Sequence, residues 1–477
     1  MKIKITFILL FLTPIFMVSQ ISIDNLLNEK FDNGIEQYRT NNLIKPRGFT
    51  DELNSEFQSI VDSEYGKSGA AGISCAVISA DDEWTGVAGL SSPTDSLTSE
   101  MVLGVGSLTK SISSATILKL EEEGKLSIDD VIEKWLGRRK YVDSTITIRQ
   151  LLNHTAGVYN VTDNPKFIQQ INSGTDRIWK PEEVLDSFLL EPYFTPGNGW
   201  HYSNSGYIMI GMIIEKVTGK GYHEVVREKL LKPYGLDSMY LKPFETNSLE
   251  VGHFWASPTG GDQGIDLTGL GFEFEALFSG AWAAGAYMAR TIDITNWMRL
   301  LASGKVLNED SQNELLEGVS LGNNVYYGLG VGYLLNTSGD IFTIGHDGNI
   351  GYTTKAYHFL NENLTIGIQC NDATVEANTL NNILNRIYLA YKTKTNNIAK
   401  IKIEKKLKVF PNPAINTINI DFNDIKINEF TIYSSLGEIM DKISLNFVDN
   451  VIVDISKYPK GIYYIKGKDV FGEFTVL

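Results

Sequence analysis

Residues 104–113 read GVGSLTKSIS and set two glycines, a serine and a lysine in front of a helix-like run. A segment of this kind can bind a phosphate, carry a nucleophile or serve structure alone. A phosphate-binding loop needs glycine immediately before the lysine, so that backbone N–H groups can surround the phosphate oxygens. Thr109 precedes Lys110 here, and the sequence therefore does not predict a nucleotide site.

The same segment predicts a serine nucleophile if its helix begins near Ser107. Lys110 then lies one turn further along the same helical face, where its amine can reach the serine hydroxyl. Serine is a weak nucleophile until a base takes its proton, and lysine can be that base once burial or a nearby positive charge lowers its pKa. A Ser-x-x-Lys pair also recurs by chance, so the rest of the chain has to decide the chemistry.

Two glycine-rich stretches supply further candidate groups. PGNGWHYSNSG, residues 196–206, places Tyr202 and Asn204 ahead of an apolar helix. A tyrosine hydroxyl can relay protons, and an asparagine amide can orient substrate and lysine. TIGHDGNIGY, residues 343–352, places His346 on a late strand among glycines that would let a substrate backbone approach the strand edge. Taken singly, either stretch can be structural. Tyr202 and Asn204 can be ordinary loop residues, and His346 can be a core histidine whose hydrogen bonds are satisfied.

Together and in this order, the three stretches resemble the Ser-x-x-Lys, Tyr-x-Asn and His-x-Gly signatures of the serine β-lactamase and penicillin-binding-protein superfamily. EEGKLSIDD, TIRQLLNHTAGV and LLKPYGLDSM are similar to phrases of its class C β-lactamase and D-alanyl-D-alanine carboxypeptidase branch. The resemblance covers residues 51–391. It implies an α+β, β-lactamase/transpeptidase-like fold, in which helices flank an antiparallel sheet and the active site lies between the sheet and a helical lobe.

The resemblance also implies catalytic roles. Ser107 would form an acyl-enzyme, Lys110 would take the serine proton, and Tyr202 would share in proton transfer. His154 matches a phrase of the family without a direct role in its chemistry, and we expect it to be structural.

The implied substrate-binding residues are Asn204, His346, Gly348 and Asn349. Asn204 would position the substrate amide, and His346 would face the substrate carboxylate. The backbone N–H groups of Ser107 and of Asn349, which follows Gly348, would form the oxyanion hole.

His346-Asp347-Gly348 departs from the Lys-Thr-Gly of most class C β-lactamases. Histidine is only a conditional cation near neutral pH, and Asp347 adds a negative charge beside it. The first hypothesis is therefore a secreted serine hydrolase of the D-alanyl-D-alanine carboxypeptidase or D-peptidase type. Two alternatives stay open: a class C β-lactamase-like esterase or weak β-lactamase, and an inactive protein that binds penicillin or cell-wall fragments.

Other motifs are weaker. GVSLG, residues 318–322, fits the nucleophile elbow of α/β-hydrolases, but a helix-like stretch precedes Ser320 where that elbow needs a strand. Six scattered histidines without an HExxH motif do not predict a metal site, and no cofactor is expected. Cys75 and Cys370 could form one disulfide or remain as two buried free thiols.

Length and charge set the wider frame. A chain of 477 residues exceeds what one hydrophobic core usually organises, which predicts two folded units. A formal charge of −15 disfavours nucleic acid or an anionic membrane as partner, and favours a small-molecule or peptide substrate.

Residues 1–20 have the lysines and short apolar run of a signal peptide, and no later segment is apolar enough to span a bilayer. An N-terminal extension, residues 21–50, and the hydrolase domain, residues 51–391, follow.

A lysine-rich stretch, residues 392–406, is predicted as a linker before a small all-β sandwich at residues 407–477. VFPNP, IYSSLGEIM and KGIYYIK in this tail resemble the C-terminal sorting domain of the type IX secretion system of Bacteroidetes. The resemblance implies export through the periplasm, a secreted or cell-surface location, and contact with the secretion machinery. The tail ends in FTVL where many such domains end in lysines, which leaves cleavage and surface attachment open.

Hydrophobic periodicity predicts individual elements as well. A hairpin is expected from Ala70, and strands are expected in GDIFTIGHDGN, GYTTKAYHF and LTIGIQCND. Helices are expected at Ser107–Glu123, Ile128–Leu136 and Ile146–Leu152, and from Asn204 onward. A sheet built from both ends of the hydrolase domain, with a helical insert between them, is an α+β plan.

Overall fold

A computed structural model of the protein describes residues 48–80, 82–173, 176–257, 264–395, 407–421, 429–434, 439–445, 450–467 and 470–476. These residues divide into two compact units, the first ending at Ala390 and the second beginning at Tyr391. The predicted signal peptide and residues 21–47 of the predicted N-terminal extension lie outside the described residues. The domain boundaries expected from the sequence stay predictions.

Most strands of the first unit belong to one antiparallel sheet. In chain order, the described strands of this unit are β1 (Gly72–Ile78), β2 (Glu83–Gly89), β3 (Leu103–Gly104), β4 (Tyr240–Leu241), β5 (Trp255–Ala256), β6 (Ile265–Asp266), β7 (Tyr287–Ala289), β8 (Val319–Gly322), β9 (Val325–Tyr327), β10 (Gly332–Leu335), β11 (Ile341–Asn349), β12 (Thr353–Phe359) and β13 (Leu364–Cys370). The large sheet has the spatial order β2-β1-β13-β12-β11-β10-β9-β8. The predicted hairpin is β1 and β2, and the three predicted late strands are β11, β12 and β13, so these predictions are confirmed.

Strands from the two ends of the first unit lie side by side in this sheet. β1 pairs antiparallel with β13, with Cys75 opposite Ile368. The helices and short strands between β2 and β8 therefore form an insert between the two parts of the sheet, which confirms the predicted α+β fold.

Helices make up most of that insert and also cover the sheet. In chain order, the described α-helices are α1 (Asp51–Ser68), α2 (Thr109–Glu122), α3 (Glu133–Leu136), α4 (Ile148–Leu152), α5 (Pro165–Ser173), α6 (Pro181–Phe188), α7 (Asn204–Thr218), α8 (Tyr222–Val226), α9 (Glu275–Ala281), α10 (Thr291–Ala302), α11 (Glu309–Leu315) and α12 (Ala377–Thr395). Short 3-10 turns lie at Gly106–Leu108, Val161–Asp163 and Trp282–Ala284, and a π-helical turn lies at Arg227–Leu231.

The two faces of the large sheet are packed against different helices. On one face, the Thr291 hydroxyl of α10 lies 2.7 Å from Ser74 Oγ and 2.9 Å from Gln369 Oε1. On the other, the Tyr388 ring of α12 stacks on Phe359 of β12, with ring centroids 4.3 Å apart. The first face continues along β11 to His346, because alternate residues of a strand share a face.

α7 is the buried helix of the helical lobe. Its residues Ser205–Ile214 are all buried, which confirms the apolar helix predicted after Asn204. Gly211 allows a close approach to the turn at Trp282–Ala284, because a β-carbon there would lie 2.6 Å from the β-carbon of Ala283. The contact fixes the position of Asn204, at the start of α7, relative to that turn.

Three predicted helices are shorter than expected. The one expected at Ile146–Leu152 begins only at Ile148. The helix expected from Ser107 begins as a 3-10 turn and becomes α-helical only at α2. Of the stretch expected to be helical from Ile128, only α3 is a helix. The residues before α3 make other contacts in place of helical hydrogen bonds. Ser127 N–H donates to the Asp130 carboxylate at 3.1 Å, and Val131 forms a β-bridge with Thr147.

The two cysteines do not form a disulfide. Cys370 lies opposite Ile73, and Cys75 lies opposite Ile368, so the two cysteines are diagonal neighbours on adjacent strands. Such neighbours are about 7–8 Å apart, beyond the Cα separation that a disulfide usually spans. Both residues are buried free thiols, which decides between the two alternatives.

From Leu407 onward, the described residues of the second unit contain strands and no helix. Its strands are β14 (Lys408–Phe410), β15 (Thr417–Asp421), β16 (Glu429–Ser434), β17 (Ile439–Ser444), β18 (Asn450–Asp454), β19 (Gly461–Gly467) and β20 (Val470–Val476). They form two sheets, β14-β15-β18 and β17-β16-β19-β20. Ile418 and Val453 of the first sheet share one core with Phe430 and Ile465 of the second, so the predicted β-sandwich is confirmed.

The helix α12 reaches further than the sequence analysis expects. It ends at Thr395 and so includes residues 392–395 of the predicted linker, whereas residues 396–406 lie outside the described part of the chain. None of the helices in the described ranges combines the length and apolar character needed to cross a bilayer.

Candidate active site

Ser107 lies in the 3-10 turn that leads into α2. Gly106 has a φ of +57°, and a β-carbon at this position would lie 2.4 Å from the backbone nitrogen of Asn349. A β-carbon at Gly348 would lie 2.0 Å from the carbonyl oxygen of Val105. Glycine at both positions therefore lets the turn and β11 approach backbone to backbone, which places the backbone of Ser107 beside that of Asn349.

Lys110 is fully buried and contacts three polar atoms. Its Nζ lies 3.0 Å from Ser107 Oγ, 2.7 Å from Asn204 Oδ1 and 2.8 Å from the carbonyl oxygen of Ala284. The amide oxygen and the carbonyl oxygen can only accept hydrogen bonds. A neutral amine has two N–H groups and one lone pair, so an amine that donates to both oxygens directs its lone pair at the serine hydroxyl. This geometry prepares Lys110 to accept the Ser107 proton.

Burial holds the pKa of Lys110 well below its ordinary value. An ammonium group is costly to bury, and none of its three hydrogen-bond partners carries a charge that would offset the lost hydration. The environment therefore favours the neutral amine, the form that a general base requires.

Asn204 is held in one orientation by its neighbours. Its side-chain NH2 donates to Thr162 Oγ1 at 3.1 Å, and its backbone N–H donates to Asn160 Oδ1 at 3.0 Å. Because the NH2 group is committed to Thr162, the amide oxygen faces Lys110. Asn160 is fixed in turn by its backbone N–H, which donates to the Tyr193 hydroxyl at 3.2 Å.

Tyr202 is buried beside Ser107 and Lys110. Its ring centroid lies 4.7 Å from Lys110 Nζ and 4.2 Å from the His154 ring. Burial raises the pKa of Tyr202 well above its ordinary value, and interaction with the Ser107 hydroxyl lowers it in part. The phenol is therefore protonated at neutral pH and can donate a proton to an atom bound near Ser107.

A line of hydrogen bonds connects His346 to the loop before α7. Ser203 N–H donates to His154 Nδ1 at 3.2 Å, so we assign the His154 proton to Nε2, which donates to the Tyr327 hydroxyl at 3.2 Å. That hydroxyl donates in turn to His346 Nε2 at 3.1 Å. His346 then carries its proton on Nδ1, which contacts the carbonyl oxygen of Asp347. A backbone N–H at one end and a backbone carbonyl at the other fix both tautomers.

His346 is fully buried. Burial, with a smaller contribution from Lys110, lowers the pKa of His346 to about 4, so the imidazole is neutral at neutral pH. The expected conditional cation is thus uncharged over the physiological range. The role of His346 at a substrate carboxylate stays a prediction. His154, expected to be structural, supports His346 through Tyr327.

Asp347 does not add an uncompensated negative charge to the site. Its carboxylate accepts from Lys355 Nζ at 2.6 Å and from the Tyr357 hydroxyl at 2.9 Å. Lys355 lies directly opposite Asp347 on β12, on the face of the sheet away from His346. The expectation that this carboxylate acts beside His346 is therefore wrong, because strand alternation directs it elsewhere and Lys355 neutralises it.

One edge of β11 is only partly paired. β12 pairs with β11 from Thr343 to Asn349, but β10 pairs with it only from Ile341 to Gly345. The His346–Asn349 stretch therefore extends beyond its pairing with β10, next to Ser107. This is the arrangement that lets an extended ligand lie along a strand edge.

Comparison with known proteins decides the family. Residues 55–389, well over half of the chain, match the beta-lactamase family. The chain belongs to the beta-lactamase family. Residues 408–473 match the secretion system C-terminal sorting domain, so this beta-lactamase family member carries a tail for export by the type IX system to the cell surface or beyond. Both resemblances seen in the sequence are confirmed.

This beta-lactamase family member is similar in sequence or structure to several characterised proteins. It is 26% identical over 279 residues to penicillin-binding protein 4* of Bacillus subtilis strain 168, over 55% of this chain and 59% of that protein, and so spans less than two thirds of that relative. A D-stereospecific amidohydrolase from Streptomyces sp. has a similar structure, with a TM-score of 0.59, 26% identity, and coverage of 69% of this chain and 97% of that one. A D-amino acid amidase from Ochrobactrum anthropi SV3, complexed with L-phenylalanine amide, is also similar in structure. Its TM-score is 0.61 and its identity is 24%, with coverage of 72% of this chain and 99% of that one. These likenesses confirm the β-lactamase/transpeptidase-like fold.

Ser320 does not lie in a nucleophile elbow. It is on β8, where it is exposed and pairs with Tyr326, and the helix α11 precedes that strand. Among the residues for which the structure gives positions, no cluster of His, Cys, Asp and Glu is arranged to hold a metal ion.

Sequence reasoning missed four groups that support the site, namely Asn160, Thr162, Ala284 and Tyr327. Ala284 acts through its backbone carbonyl, which any residue type provides. The other three lie outside the glycine-rich stretches and are brought in by the fold. Only the proximity of Asn160 and Thr162 to the LLNHTAGV phrase could have directed attention to them.

Proposed function

We propose that this protein is an exported serine hydrolase that works through an acyl-enzyme on Ser107. The observation that carries the proposal is the environment of Lys110, whose Nζ lies 3.0 Å from Ser107 Oγ and contacts two further neutral acceptors. These contacts support a neutral amine that takes the serine proton.

The proposed reaction begins when Ser107 Oγ bonds to the substrate carbonyl carbon and its proton moves to Lys110 Nζ. The charge that develops on the carbonyl oxygen faces the N–H groups of Ser107 and Asn349. The bond to the leaving nitrogen or oxygen then breaks, and the leaving atom receives a proton from Tyr202, which Lys110 reprotonates. Water finally attacks the ester carbon, its hydroxyl stays on the acyl group, and its proton returns to Ser107.

We propose amides and esters of D-amino acids as the substrate class, ahead of peptides that end in a free D-alanine carboxylate. The Streptomyces relative is a D-stereospecific amidohydrolase, which supports the D configuration. A carboxylate is held best by a charged donor. His346 is neutral by burial, and Lys355 is committed to Asp347. The carboxypeptidase activity first expected from the sequence therefore takes second place.

Intact-mass analysis tests the nucleophile. The purified protein is incubated with a fluorophosphonate and with a penicillin, beside its Ser107→Ala variant and a Ser320→Ala variant as matched control. We expect one adduct on the parent and on Ser320→Ala, and none on Ser107→Ala. Labelling that persists in Ser107→Ala would overturn the assignment of the nucleophile. Reversible penicillin binding without any adduct would favour the binding-protein alternative.

Steady-state kinetics test the substrate class. We expect kcat/KM for D-alanine amide to exceed that for L-alanine amide by at least about 100-fold, because stereochemistry decides whether the carbonyl reaches Ser107. We also expect it to exceed kcat/KM for an N-acyl-D-alanyl-D-alanine. A preference for the free-carboxylate peptide would restore the carboxypeptidase to first place.

A further inference from the structure

The site is continuous with a small apolar cavity. Asn204, Asn349 and Gly285 are among its lining residues. Asn204 is the partner of Lys110, Asn349 contributes the second proposed oxyanion N–H, and Gly285 follows Ala284, whose carbonyl accepts from Lys110. The cavity therefore adjoins the position that the reacting carbonyl would occupy.

The cavity wall is apolar on the side away from the reacting atoms. Its apolar lining comes from Val161, Phe167, Ile171, Leu277 and Ile350, and none of its lining residues is charged. Burying an ionised side chain against such a wall is unfavourable, because nothing replaces its hydration. The lining thus favours an uncharged apolar group.

The cavity is also small. Its volume is about 40 Å³, whereas a cavity that accepts benzene has about 150 Å³. A methyl or ethyl group fits such a space, and a benzyl group does not fit without movement of the wall.

Ile171 of α5 and Gly280 of α9 set this limit together. Both Ile171 and Phe167 are buried, and a β-carbon at Gly280 would lie 2.8 Å from Ile171 Cδ1 and 3.1 Å from Phe167 Cζ. α9 therefore backs directly against these two side chains, and close packing of this kind leaves the wall little room to retreat.

We infer that this cavity is the acyl side-chain pocket of the enzyme, that it selects small apolar D-amino-acid side chains, and that Ile171 determines the size limit. The inference rests on the proposed function, because it concerns the acyl group that Ser107 would carry.

The test compares kcat/KM for the amides of D-alanine, D-2-aminobutyrate and D-phenylalanine. We expect the parent to prefer D-alanine amide over D-phenylalanine amide by at least about tenfold, the scale on which a hydrophobic pocket discriminates by size. Ile171→Ala removes the branched end of the side chain and should shift that ratio toward D-phenylalanine amide by about tenfold or more. Ile171→Val, a milder change that guards against misfolding, should shift the ratio in the same direction by less.

Ile178→Ala is the matched control, because Ile178 is 55% exposed and lies outside the cavity lining. It should leave the ratio of the parent unchanged. A parent that prefers D-phenylalanine amide, or a ratio that stays constant in both Ile171 variants, would overturn the inference.

Fluorophosphonate titration of each variant separates the two proposals. If no variant and not even the parent is labelled at Ser107, the proposed function fails. If labelling is stoichiometric but the side-chain ratio does not respond to position 171, only the pocket assignment fails.

Discussion

At the scale of single residues, burial among neutral partners suits Lys110 to its proposed role as a base and also makes the stability of the folded chain depend on pH. Lys110 has a lowered pKa in the folded chain, so the unfolded chain binds the extra proton over the interval between the two pKa values. The free energy of unfolding therefore rises with pH across that interval and falls as the pH drops through it.

The first prediction concerns this base. The rate of fluorophosphonate labelling should rise with pH as Lys110 loses its proton and should level off above its lowered pKa. Lys110→Arg, which keeps a charge and cannot deprotonate, should label about 100- to 10,000-fold more slowly. Circular dichroism serves as the folding control. A Lys110→Arg protein that is folded and labels within threefold of the parent would remove Lys110 from the mechanism.

The second prediction concerns His346. Its pKa of about 4 in the folded chain lies below the ordinary value of 6.5, so its contribution to stability is complete above about pH 6.5 and is lost as the pH falls toward 4. The shift corresponds to roughly 3 kcal/mol between these limits. Urea unfolding at several pH values should show a smaller acid loss for His346→Gln than for the parent. Equal losses in both proteins would mean that His346 titrates normally.

Site residues that lie in a recognisable motif could be predicted from the sequence, and residues that only the fold brings to the site could not. Ser107 and Lys110 share a helical face, so their contact follows from spacing alone. Tyr327 comes from a different strand, and Ala284 contributes only backbone, so no spacing rule leads to them. Asp347 points away from His346 because neighbouring residues of a strand alternate between its faces. Its ion pair with Lys355 depends on the register of β11 and β12, which the sequence does not specify to the single residue.

At the scale of elements, the proposed oxyanion hole depends on the contact between the 3-10 turn and β11. Both segments can approach because Gly106 and Gly348 lack a β-carbon. Either segment alone has the usual backbone N–H groups, and only their proximity brings the two proposed donors together.

The third prediction separates this proximity from backbone strain. Gly106→Ala adds a β-carbon that would lie 2.4 Å from Asn349 N, whereas Gly124 has a similar φ of +67° but nothing within 4 Å of an added β-carbon. Gly124→Ala should cost only about 1–2 kcal/mol of stability and keep the labelling rate. Gly106→Ala should lose labelling by at least about 100-fold, as expected when oxyanion donors are displaced. Equal labelling by both variants would contradict the oxyanion assignment.

The elements that the sequence predicted well are those with strong periodicity. The buried helix α7 and the late strands have uninterrupted apolar or alternating patterns. Of the helix predicted at Ile128–Leu136, only Glu133–Leu136 is helical. The apolar spacing of the whole stretch suits a helix, but the backbone of its first part forms a bridge between Val131 and Thr147. Tertiary pairing overrides local preference at such places.

At the scale of the whole molecule, the proposed active site and the sorting domain belong to separate compact units. The large core of the first unit contains no residue of the second, and the β-sandwich has a core of its own. The β-sandwich matches the sorting-domain family. Removing it should therefore change the location of the protein more than its reactivity at Ser107.

The fourth prediction follows from this separation. A chain that ends at Thr395 should label at Ser107 within about twofold of the full chain, because distant and independent regions contribute additively. The same chain should remain inside the producing cell, as shown by fractionation and immunoblotting, while the full chain reaches the surface or medium. An exported truncated chain would contradict the role given to the tail, and an unlabelled but folded one would contradict the independence of the first unit.

The pairing of β1 with β13 has a consequence for biosynthesis. A sheet that pairs strands from opposite ends of a unit has high contact order, and such topologies fold slowly because distant segments must first meet. A nascent chain that has produced Ser107 and Lys110 still lacks Asn349 and the strands beside it. The proposed oxyanion hole can therefore form only after nearly the entire unit has left the ribosome. The unfinished chain would lack donors that the proposed acyl transfer needs in the compartment where it is made.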